Sequence, residues 1–131
     1  LVAQVRQWAS REPRAFAACS AALTETAAAF ADSFERGQLA ELLTLTARYH
    51  EGMRDLGEGA GAPIVEARLA EVARLATQCG GRAKPSGAGG GDVAIAFFTA
   101  AEDLAAFDDA LAAAGFEALA LTLGAPGPRL E

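Results

Sequence analysis

Lys84-Pro85-Ser86-Gly87-Ala88-Gly89-Gly90-Gly91-Asp92 runs directly into Val93-Ala94-Ile95-Ala96-Phe97-Phe98, and the reading of this stretch decides the fold. Four glycines in the five positions 87–91 leave a row of backbone N–H groups with no side chains in front of them. Such a loop can fold into a concave nest of donors of the kind that cradles a phosphate. Lys84, the only lysine of the chain, stands at its mouth, and the Ser86 hydroxyl follows two residues on. The apolar run after Asp92 is short and rich in Val, Ile and Phe, so it reads as a buried strand. A glycine loop anchored by a strand on its C-terminal side is the expectation.

The standard nucleotide motifs do not fit. A dinucleotide fingerprint needs G-x-G-x-x-G between a strand and a helix. Gly87 and Gly89 match, but the third position is Asp92 and a strand follows. A P-loop needs Lys after its glycines, and none is there. A flexible linker or a long hairpin turn is the plain alternative.

Upstream the chain is helical. Leu1, Val5 and Trp8 share a face, and Pro13 suits the first turn of a second helix. Phe16, Cys19, Leu23, Thr26, Phe30 and Phe34 form its stripe, and Gly37 ends it. Leu39, Leu42, Leu43, Thr46 and Tyr49 continue a third helix to about Leu56. Gly57 to Ala62 then reads as a connection, with Pro63 starting a fourth helix marked by Val65, Leu69, Val72, Ala76 and Cys79. Gly80-Gly81 closes that helix, and Arg82-Ala83-Lys84 leads into the loop as a short strand. Beyond Phe98, Glu102-Asp103 opens another helix with Leu104, Phe107 and Leu111 inward. Phe116 to Leu123 alternates as a further long strand, and residues 124–128 form a tail. Helices followed by strand, loop, strand, helix and strand indicate an α+β domain with a sheet of about three strands.

The remaining features narrow the function classes. A net charge of −6 leaves no basic face for a nucleic acid backbone, while one small phosphorylated ligand needs only local donors. No apolar run approaches the roughly 20 residues of a membrane span. Cys19 and Cys79 lack metal-ligand spacing and read as reduced core cysteines. His50 and Arg54 lie one helical turn apart, so they are a possible substrate-facing pair. The plainer reading is a solvated pair near a helix end.

Lys84-Pro85-Ser86-Gly87-Ala88-Gly89-Gly90-Gly91-Asp92 before an apolar strand resembles the third conserved motif of the GHMP small-molecule kinases. Its K-P-S opening and closing Asp are most similar to the phosphomevalonate kinase and mevalonate kinase branch. Met53 to Ile64 resembles the connection that precedes the helix before that motif. Val93-Ala94 departs from the Cys-Gly expected in this branch. The resemblance implies a ferredoxin-like C-terminal domain over residues 1–131, with helices on one face of a small antiparallel sheet. It also implies an ATP-dependent kinase whose ATP and Mg²⁺ are held mainly by an N-terminal domain that this chain lacks, together with that domain's catalytic residues. The chain starts at Leu1 with no Met, and the first strand of the layer is expected to be missing.

In this reading Ser86, Gly87, Ala88, Gly89, Gly90 and Gly91 hold the phosphate, Lys84 contributes charge if it faces the site, and Asp92 holds the loop. The implied partners are the N-terminal domain, a small phosphorylated substrate and, through an open sheet edge, a second copy. The implied location is cytoplasmic. The alternative function is a non-catalytic ligand-binding or dimerisation module of the same fold.

Overall fold

The computed structural model describes residues 1–91 and 93–121. Its elements are α1 (Val2–Arg11), α2 (Pro13–Glu35), α3 (Leu39–Ala60), α4 (Ala67–Gln78), β1 (Arg82–Pro85), β2 (Ala94–Phe97) and α5 (Ala101–Ala113). The class is α+β, as expected.

β1 and β2 form an antiparallel hairpin in which Arg82 pairs with Phe97, Ala83 with Ala96, Lys84 with Ile95 and Pro85 with Ala94. Side chains alternate across such a ladder. Ala83, Ala94 and Ala96 pack with Val72, Leu75, Ala76, Phe107 and Leu111, so α4 and α5 cover that face. The small alanines let α4 lie close on the strands, and α5 reaches the same cluster through Phe107 and Leu111. Residues of the other parity also meet helices. Phe97 lies against Phe30 of α2, with ring centroids 5.5 Å apart, and Lys84 reaches Tyr49 of α3. A second cluster of Met53, Ala62 and Ile64 sits where α3 ends.

The first correction concerns α3. It runs to Ala60, past the expected end near Leu56, and Gly57 and Gly59 are helical. Glycine costs helix stability in isolation, but tertiary contact overrides that cost here. A Cβ on Gly59 would overlap the Trp8 ring, and one on Gly57 would come within 2.8 Å of the Ala62 carbonyl oxygen. The helix keeps glycine so that α1 and the returning chain can touch it. Gly61 then ends α3 with φ 60°, and the Ala62 N–H donates back to the Gly57 carbonyl at 2.9 Å.

The second correction concerns α4, which starts at Ala67 and not at Pro63. Ala62 and Ile64 turn inward and are buried, which holds residues 61–66 as an irregular connection. Val65 therefore lies outside the helix whose stripe it was expected to join.

The third correction concerns the last strand. Residues 116–121 form no ladder, and 122–123 lie outside the described residues, as does the tail. Among the described residues the sheet has two strands rather than three. Alternation alone does not make a strand, because a ladder needs a neighbour to take its N–H and C=O groups. Leu119 and Leu121 are exposed accordingly.

Smaller departures follow the same logic. Phe34 is 64% exposed and stacks on Phe30 instead of entering the core, and Leu104 and Leu39 are also exposed. Both cysteines are free and half-buried. No helix among the described residues is long and apolar enough to cross a membrane.

Candidate functional site

The glycine loop caps the hairpin. The Ser86 N–H donates to the Val93 carbonyl at 3.1 Å, which extends the ladder by one bond and closes the loop's base. Within the loop, the Gly90 N–H donates to the Ile64 carbonyl at 2.8 Å. Gly89 has φ 82°, and a Cβ there would overlap both the Ile64 carbonyl oxygen and its side chain. Only glycine permits this approach. Ser86, Gly87, Ala88 and Gly91 are exposed. Among the described residues, no backbone acceptor meets the N–H of Gly87, Ala88, Gly89 or Gly91. Among the described residues four of the expected donors thus stand open, while that of Gly90 anchors the loop. Asp92 lies outside the described residues.

Lys84 is engaged beside the loop. Its ammonium lies 5.1 Å from the Tyr49 ring centroid and donates to the Pro85 carbonyl at 3.0 Å. Burial lowers its pKa below the ordinary lysine value. Its strand parity directs it to α3.

His50 and Arg54 share α3 but differ in environment. The Arg54 guanidinium is exposed and ion-paired to Glu51 at 2.7 Å, Asp55 at 3.1 Å and Glu58 at 3.6 Å. A phosphate approaching Arg54 would compete with these carboxylates. Arg54 and Glu58 line a cleft of about 400 Å³ whose other wall is the 61–65 connection. The loop rests on Ile64 of that same connection. His50 is half-buried, and its Nδ1 is buried with no hydrogen-bond partner among the described residues.

Burial lowers the His50 pKa below its ordinary value, Glu51 opposes this, and Arg54 adds to it. A histidine held neutral in the fold but free to protonate when unfolded favours the native state above its unfolded pKa of about 6.5. That stability is lost as pH falls from there through the depressed folded value. Thermal melts should therefore show Tm dropping between pH 7.5 and 5.5, with His50→Gln flattening the drop. An unchanged profile in the variant would show that His50 does not supply it.

The donor set at the loop, neutral N–H groups with one hydroxyl, suits phosphate oxygens rather than a cation. Among the described residues no three His, Cys, Asp or Glu side chains gather to hold a metal. Ile64 and Tyr49 were not among the site residues expected from the sequence. An isoleucine inside a glycine- and alanine-rich connection was the available signal, obscured by placing Pro63 in a helix.

The family model "GHMP kinases C terminal" matches residues 30–118, a span from the end of α2 through the hairpin and α5. The chain belongs to that family. Its fold is also that of the Lin0012 protein from Listeria innocua, whose crystal structure aligns with TM-score 0.86 and 24% identity. The alignment covers 91% of this chain and 34% of that one, so the chain spans about a third of the length of that protein. No curated protein matches the chain.

Proposed function

We propose that this chain is the C-terminal, substrate-side domain of an ATP-dependent small-molecule kinase acting on mevalonate or phosphomevalonate, in isoprenoid precursor synthesis. The observation that carries the reading is the glycine loop, with four main-chain donors open among the described residues and a hydroxyl at one hairpin end. Phosphoryl transfer depends chiefly on positioning and on stabilising the charge of the moving group. Main-chain N–H groups at Gly87, Ala88, Gly89 and Gly91 suit that task, with the Ser86 hydroxyl adding a fifth donor. Asp92 is assigned to holding the loop, since a carboxylate beside phosphate would repel it.

ATP and Mg²⁺ belong mainly to an N-terminal partner domain in this proposal, as do the catalytic acid or base. ATP, when bound there, supplies the phosphoryl group. Association with a second copy through the open sheet edge and a cytoplasmic setting complete the reading. The Lys-Pro-Ser opening supports the phosphomevalonate branch, and Val93-Ala94 departs from it.

The test is ATP-dependent phosphorylation by the protein that joins this chain to its N-terminal domain, assayed with each acceptor in turn. One of the two acceptors should be turned over, and Ser86→Ala should lower kcat/KM by about 10- to 100-fold, the loss of one charge-assisted bond. Turnover of a different acceptor in place of these two would discard the acceptor assignment. No transfer to any acceptor, with no phosphate binding at the loop, would leave the non-catalytic module as the better reading.

A further inference from the structure

We propose that Ile64 is the positioning residue of the glycine loop, supporting its C-terminal end so that the donors are aligned before a phosphate arrives. The inference rests on reading the loop as a phosphate site.

At the C-terminal end of the loop, the Ile64 carbonyl accepts the Gly90 N–H at 2.8 Å. The Ile64 side chain fills the space that a Cβ on Gly89 would need. The strand that enters the loop is held separately, by the Lys84 ammonium on the Tyr49 ring of α3. Ile64 itself is fixed. It is 2% exposed, its N–H donates to the Ala62 carbonyl at 2.8 Å, and its Cβ packs close over Gly57. The carbonyl that holds the loop therefore has one direction set by a packed core. Donors held this way need no reorganisation when charge arrives, which is where preorganised N–H groups gain their strength. Ile64 touches no reacting atom in this scheme. It acts through the loop.

The experiment uses the 131-residue chain. Amide hydrogen exchange reports Gly90, and a titration with inorganic phosphate is followed by the ¹⁵N–¹H shifts of Gly87, Ala88 and Gly91. In the wild type the Gly90 amide should exchange at least about tenfold more slowly than those of Gly87 and Ala88. Ile64→Ala should erase that difference and weaken phosphate binding about tenfold. Ile64→Val should move both in the same direction by less, and it decides the matter alone if Ile64→Ala fails to fold. Met53→Ala, an equally buried neighbour in the same cluster, should lower Tm while leaving Gly90 protection and phosphate affinity in place.

Unchanged Gly90 protection in both Ile64 variants would overturn the proposal, as would Met53→Ala matching Ile64→Ala in every readout. If the wild type binds no phosphate while Gly90 protection still depends on Ile64, the phosphate reading falls and the positioning role stands.

Discussion

Gly89→Val should abolish phosphoryl transfer by the joined protein, by at least about 100-fold in kcat/KM, while the fold persists. Two features coincide at this residue. Its φ of 82° is left-handed, which costs an L residue about 1–2 kcal/mol and a β-branched one more. The space a Cβ would occupy is filled by the carbonyl oxygen and side chain of Ile64. A backbone carbonyl in a packed cluster cannot step aside as the end of a long side chain could, so the loop must lift. Lifting breaks the Gly90–Ile64 hydrogen bond and displaces the neighbouring donors together. Removing a single preorganised donor from an anion site costs about 10²- to 10³-fold in comparable enzymes, and several are disturbed here. Circular dichroism should show the helices intact, because the loop contributes little to either hydrophobic cluster. Near-normal turnover by Gly89→Val would mean that the loop does not touch the reacting phosphate.

Trp8→Ala should destabilise the chain by about 3–5 kcal/mol, the range for truncating a large buried aromatic. Trp8 is 5% exposed. It lies against Gly59 of α3 and meets Phe16 of α2 edge-on, with ring centroids 5.7 Å apart. One side chain thus ties α1 to both long helices. Urea denaturation followed by far-UV circular dichroism is the measurement, since the variant loses the only tryptophan. The indole N–H has no hydrogen-bond partner among the described residues. Trp8→Phe gives up no such bond and should recover most of the loss. A Phe variant as unstable as the Ala variant would show that the N–H is in fact satisfied. A loss below about 1 kcal/mol for Trp8→Ala would mean that α1 is not docked as described.

The helices were legible because each carries a local signal. The three-and-four spacing of α2, α3 and α4, Pro13 at a first turn and the glycines after Gln78 all act within a few residues of where they stand. The hairpin was legible for the same reason, as a glycine loop with an apolar run behind it. The misplacements were non-local. Gly57 and Gly59 look like a connection until Trp8 and Ile64 are known to need their missing side chains. Residues 116–121 look like a strand, yet a strand is defined by the neighbour that pairs with it. Pro63 suits a helix start, but the burial of Ile64 pulls the chain inward first.

The candidate site divides in the same way. By itself the sequence determined the donors: glycines without side chains, a serine hydroxyl and the order in which they precede a strand. These are properties of residue types at consecutive positions, so no fold is needed to read them. The tertiary structure alone decided which donors stay open, what Lys84 rests on and how Arg54 is paired. Those answers depend on a carbonyl 26 residues before Gly90 in the chain, on a ring on α3 and on three carboxylates around one guanidinium. Hydrogen bonds and ion pairs are made through space. Only packing brings Ile64 beneath the loop.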